Sequence, residues 1–164
     1  MLHRFAAFAA LPLFLLACSP QGSAEALATD AAEATPAVHP ESGLEVVPLT
    51  VTSGEKVHKF RVEIAATPEQ QRQGLMFRAE LPPDEGMIFP YATPQPLGFW
   101  MKYTPLPLDI IFIGADGRIL NIAANTTPYS LESVYSVGLA TLVFEIPGGR
   151  AAELGIEPGD LVEY

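Results

Sequence analysis

The sequence predicts an α+β domain that is mainly β: one compact unit with a curved, mostly antiparallel sheet or partial barrel and one or two short helices. Three observations carry that expectation. Apolar and polar residues alternate in short segments such as Lys59-Phe60-Arg61-Val62-Glu63-Ile64. Glycine and proline, 13 and 16 of 164 residues, cluster at the ends of such segments, where a bent sheet turns its corners. Only two stretches carry helix signals, and both are short.

The first 17 residues stand outside the fold. His3 and Arg4 precede an apolar run, Phe5 to Leu16, cut by Pro12. That run is too short to span a bilayer as a helix and reads as an export signal. Leu15-Leu16-Ala17-Cys18 closes it and resembles a bacterial lipobox, which implies cleavage before Cys18 and acylation of its thiol. Two buried acyl chains anchor stably where one is marginal. The expected partner is therefore a lipid bilayer. Ser19, rather than Asp, follows the cysteine, and by analogy with enterobacterial sorting this directs an exported envelope protein to the outer membrane, facing the periplasm. Cys18 is the only cysteine, so no internal disulfide is available. Residues 18–43 then read as the lipidated Cys and a disordered tether: they are rich in Ala, Ser, Thr, Pro and Gly and show no periodicity. A coil of about 24 residues spans roughly 25–30 Å.

Residues 44–164 suffice for one globular domain. Leu44 to Val51 is expected as an edge strand because Pro48 cannot donate to a ladder, and Lys59 to Ile64 as a half-buried strand with its charges outward. Thr67-Pro68-Glu69-Gln70 predicts a helix start: a capping threonine, proline at the first position, and glutamine three after the cap. Gly74 ends it. Gly86 to Phe89 is a short strand. Leu97 to Tyr103 and Leu108 to Ile113, bracketed by Pro94, Pro96, Pro105 and Pro107, read as two further strands. Asp116-Gly117 signals a tight turn into a strand from Arg118 to about Ala124. A loop runs from Asn125 to Gly138. Thr141 to Ile146 is a strand, Arg150 to Leu154 a helical turn closed by Gly155, and Leu161 to Tyr164 the last strand.

The net charge is −10, from 9 Lys+Arg against 19 Asp+Glu, and loss of Arg4 with the leader takes it to −11. So acidic a chain argues against nucleic-acid binding.

Several motifs occur in order: Arg72-Gln73-Gly74-Leu75-Met76-Phe77-Arg78, Gly86-Met87-Ile88-Phe89, Phe99-Trp100-Met101-Lys102, Leu108-Asp109-Ile110-Ile111-Phe112-Ile113 and Glu145-Ile146-Pro147-Gly148-Gly149, with Gly155 to Asp160 at the end. This series resembles the domain of unknown function 192 family over residues 58–163. The resemblance implies a compact β-rich domain and brings no established activity. The family usually places Asn after Trp-Met-Lys, where this chain has Tyr103; any site that used that Asn is altered here.

The candidate chemistry is narrow. His3, His39 and His58 and one cysteine assemble no nucleophilic triad, and no phosphate-binding loop or metal spacing appears, so no cofactor is expected. Strand alternation sets Phe99 and Met101 on one face and Trp100 and Lys102 on the other. With Arg78 and Asp109, the Trp100/Lys102 face suits a small polar ligand such as a glycan, or an envelope partner protein. A second reading is a carboxylate-dependent hydrolase or lyase on envelope glycans, using Asp109 and Glu145. A third gathers Met76, Met87 and Met101 around Cu(I). A fourth is a purely structural or assembly role. Acids beside Gly and Pro turns also commonly accept backbone hydrogen bonds, which gives Asp109 a structural alternative.

Overall fold

A computed structural model describes residues 37–164. The leader, Cys18 and the tether up to residue 36 lie outside the described residues. None of the described helices is long and apolar enough to cross a membrane.

Ten strands and two helices follow in the order β1 (Ala37–Val38), β2 (Glu45–Ser53), β3 (Lys56–Ile64), α1 (Pro68–Gln73), β4 (Glu85–Gln95), β5 (Gly98–Phe99), β6 (Leu108–Ile113), β7 (Ile119–Ala123), β8 (Val134–Tyr135), β9 (Ala140–Pro147), α2 (Arg150–Leu154) and β10 (Leu161–Glu163). The main sheet runs β1-β2-β3-β4-β9-β6-β7, with β10 also on β2; β5 and β8 form a separate ribbon. Every pairing is antiparallel except β3 with β4, where Arg61 to Ile64 run alongside Glu85 to Ile88. That parallel pair is bridged by α1. The sheet is not closed into a barrel: its ends touch at one bridge, Arg118 to Leu161.

Local chemistry accounts for the corners. The Thr67 hydroxyl accepts the Gln70 backbone amide at 3.2 Å, and the Gln70 side-chain oxygen accepts the Thr67 and Ala66 amides, so the capping box forms as the sequence predicts. Gly117, at φ 76°, makes the hairpin between β6 and β7. Pro48 lies between the two short partners of β2, with β1 pairing at 45–46 and β10 at 50–52, so its missing N–H costs no ladder bond.

The sheet is covered on both faces. One face buries Leu49, Val51, Phe60, Val62, Ile88, Ile111, Phe144 and Ile146 under α2 and β10; the other buries Leu75, Met87, Phe89, Leu97, Met101, Ile110, Phe112 and Val143 under the segments flanking α1 and β5. All six residues of β6 are buried, which is why its sequence is an apolar run rather than an alternation.

Three expectations change. The strand predicted over 97–103 is paired as a strand only at Gly98–Phe99 and then turns, although Met101 is still buried and Trp100 still exposed. The strand predicted at 86–89 extends to Gln95 through Pro90 and Pro94, which a register shift accommodates. Glu63, expected on a solvated face, is buried, because residues 39–43, assigned to the tether, fold back over it: His39 N–H donates to the Leu44 carbonyl, and the Ser42 hydroxyl donates to the Glu63 carboxylate.

Candidate functional site

On β9, Glu145 stands directly across from Met87 of β4 and Ile110 of β6, both fully buried and on the same sheet face. An acid in that row is expensive unless it is paired or protonated. Among the described residues none donates a hydrogen bond to its carboxyl, and burial alone pushes its pKa up to about 8. Glu145 is therefore a neutral carboxylic acid at pH 7, with one O–H to donate and oxygens free to accept.

It forms the floor of a cleft of about 140 Å³. One wall is α1 and its exit, Gln71 to Met76; the other is Gly98, Phe99, Trp100 and Thr104; Phe89 and Tyr91 of β4 close the back. The walls are held apart by specific contacts. The Gln71 side-chain amide donates to the Pro90 carbonyl at 2.9 Å, fixing α1 to β4. Gly74 leaves room for Phe89, whose ring would lie 3.4 Å from any added Cβ. Phe99 packs edge-on to Phe89 and Phe112, which turns the neighbouring Trp100 outward at 47 % exposure. Burial, and then Glu145 once it has ionised at higher pH, raise the Tyr91 pKa.

Of the residues singled out in the sequence, only Trp100, Glu145 and Met76 line this cleft. Lys102 sits outside it, its ammonium 5.2 Å from the Trp100 ring centre and 5.0 Å from that of Tyr103. Arg78 is buried in a different place. It makes a bidentate pair with Glu63 at 2.9 and 3.1 Å and an ion pair with Glu41 at 3.2 Å. Burial works against the Arg78 charge, but the hydrogen bond and charge of Glu63, with Glu41 and Glu85 behind, outweigh it and raise its pKa.

Asp109 is fully buried and accepts three backbone amides: Asn125 at 2.7 Å, Gly149 at 2.8 Å and Ala151 at 2.8 Å. It bolts the start of α2 to the sheet. Asp109 and Glu145 are register neighbours on adjacent strands, Asp109 facing Ile146 and Glu145 facing Ile110, so their side chains leave opposite faces of the sheet. The pair of carboxylates expected for hydrolysis is thus absent: the two acids cannot address one bond. The methionines also occupy different settings. Met87 and Met101 are packed in the apolar cluster, where the Met101 sulfur accepts the Thr126 hydroxyl at 3.1 Å, while Met76 stands on the cleft wall. Among the described residues no group of three His, Cys, Asp or Glu side chains gathers to hold a metal ion.

Sequence reasoning missed Gln71, Tyr91 and Thr104, which lie outside the motifs, and it had Arg72 only as the first residue of one of them. Glu145 carried a usable signal, a lone acid inside the apolar run Thr141 to Ile146.

Comparisons with known proteins bear on the family and the fold. No curated protein matches the chain. A crystal structure of a protein of unknown function from Novosphingobium aromaticivorans DSM 12444 is 53 % identical, with a TM-score of 0.78 over 80 % of this chain and 94 % of that one. A protein from Sinorhizobium meliloti 1021, described as a "putative transcription regulator", is 36 % identical, with a TM-score of 0.71 over 73 % of this chain and 94 % of that one. The family model of DUF192, described as "Uncharacterized ACR", matches residues 49–164, and the chain belongs to that family.

Proposed function

We propose that the domain is a non-catalytic binding module, tethered through acylated Cys18 to the periplasmic face of the outer membrane, that takes one end of a small polar ligand of the sugar class into the cleft over Glu145. The observation that carries this reading is the neutral, unpartnered Glu145 carboxyl at the cleft floor with Trp100 at its mouth. The cleft of about 140 Å³ leaves room for a substituent of the ligand to reach the Glu145 carboxyl. A protonated carboxyl donates one hydrogen bond, which the carbonyl of a secondary amide accepts; the trans N–H of that amide points away from the same carboxyl. An acetamido group offers that acceptor, and the sugar ring that carries it would stack on the exposed Trp100 face. The chain's net charge of −10 lends no support to a DNA-binding role.

Trp100 is the only tryptophan, so its emission reports on the cleft mouth alone. Titration with N-acetylglucosamine at pH 6 is expected to saturate with a Kd on the order of 1 mM, about 4 kcal/mol. Glucose, lacking the amide, should bind at least tenfold more weakly, as should N-acetylglucosamine to Glu145→Ala. Equal response to both sugars, or none to either, would remove this reading. Cys18→Ser should separately release the protein from the membrane fraction.

A further inference from the structure

Beside the cleft, the described chain holds four non-glycine residues in left-handed backbone, and three of them are exposed aromatic residues: Phe77 (φ 64°), Tyr103 (φ 58°) and Tyr129 (φ 62°). Each costs about 1–2 kcal/mol of backbone strain. They are wired together: the Phe77 amide donates to the Tyr103 carbonyl at 2.8 Å, and the Tyr129 amide to the Thr104 carbonyl at 3.1 Å. Phe77 and Tyr103 stack with ring centres 5.3 Å apart and planes 17° from parallel. Lys102 lies over Tyr103 and Trp100, continuing the column to the cleft mouth. Strain held to display rings to water points to an apolar or half-apolar occupant.

We propose that this column, Phe77–Tyr103–Lys102–Trp100, seats in the headgroup region of the bilayer that anchors the chain. Two observations select a bilayer over another occupant. The residues are the interfacial set, with Trp and Tyr presenting apolar rings with polar edges and one lysine whose ammonium lies over two of the rings. The N-terminal strap that leads from the tether also arrives here. Glu41 pairs with Arg78, next to Phe77, and Glu41, Ser42 and Leu44 share a hollow with Gln73, Met76 and Arg78. The strap therefore joins the fold on the Phe77 side of the column, and a tether of that length lets this side reach the membrane. With a single lysine in the column and an acidic chain, the contact relies on aromatic insertion rather than on anionic lipid. Seated this way, the cleft mouth opens at headgroup level. The inference rests on the anchoring part of the proposed function and is independent of the ligand in the cleft.

The test couples the mature chain, residues 18–164, through its sole cysteine to a maleimide lipid in phosphatidylcholine vesicles, which sets the anchor whatever happens to the leader in the cell. Trp100 emission should shift to the blue, with a several-fold loss of acrylamide quenching relative to the uncoupled chain in buffer. Headgroup-proximal brominated phosphatidylcholine should quench it. In the double variant Phe77→Gly/Tyr103→Gly, glycine accepts both left-handed positions, so the fold is kept and the shift should be lost. A coupled wild-type chain whose Trp100 remains as quenchable as in buffer overturns the proposal. So does a blue shift already present in vesicle-free buffer together with a dimeric mass, which would assign the column to a second copy. Failure of Cys18 acylation in cells would strike the anchoring reading and leave the vesicle result standing as its own measurement of bilayer contact.

Discussion

At the residue scale the molecule separates two buried acids that look alike in the sequence. Asp109 is satisfied by three backbone amides, and truncating it orphans all three inside the protein. Asp109→Ala should therefore lower unfolding free energy by about 3–5 kcal/mol, read as a shift in the urea midpoint at constant slope. Asp109→Asn, which retains one acceptor oxygen, should lose less. Glu145 is the opposite case. Its folded pKa of about 8 stands above the ordinary value of 4.5. Between those pH values the unfolded chain releases a proton that the folded chain keeps, so stability falls as pH rises, by at most about 1.4 kcal/mol per unit and about 5 kcal/mol in all. Below the window the group contributes no difference, and above it the loss is complete. Glu145→Gln should melt close to wild type near pH 4.5 and above it at pH 8. A wild-type Tm that falls no more steeply than the variant's over that range contradicts a neutral Glu145.

At the element scale, glycine at one strand position decides how closely two strands pack. A Cβ on Gly86 of β4 would come within 2.4 Å of the Glu145 carbonyl and 2.8 Å of the Phe144 ring. Gly86→Ala should cost about 3 kcal/mol by forcing β4 from β9, whereas Gly54→Ala meets nothing within 4 Å and should cost only its turn strain, about 1–2 kcal/mol. Equal Tm losses in the two variants would contradict this account of the β4–β9 contact. Elements of this kind were readable in part. The capping box of α1, the Asp116-Gly117 hairpin and the facing of Phe99 and Met101 against Trp100 follow from local rules, because each depends on residues within four positions. The parallel pairing of β3 with β4 and the burial of Glu63 do not. They depend on a crossover and on a strap, residues 39–43, whose polar composition carries no period. The cleft itself draws on α1, β4, β5 and β9, so no single stretch announces it, and Glu145 stood out only as an acid among apolar neighbours.

At the scale of the whole molecule, the Arg78–Glu63–Glu41 lock fastens the N-terminal strap to the sheet beside the cleft. Arg78→Ala leaves the Glu63 carboxylate buried without its partner and should cost about 3–5 kcal/mol, while Glu41→Gln removes a largely exposed partner and should cost under about 1 kcal/mol. Similar urea midpoints for the two variants would contradict a buried lock. Fold, strap and cleft then converge on one carboxyl, whose protonation is the centre of the account. The most direct test is the pH profile of N-acetylglucosamine affinity, read from Trp100 emission, in wild type and in Glu145→Gln. Wild-type affinity should hold steady to about pH 8 and fall roughly tenfold per pH unit above it as the carboxyl ionises, while Glu145→Gln, which keeps a donor and an acceptor but cannot ionise, should bind with no such fall. The same profile in both proteins would contradict it.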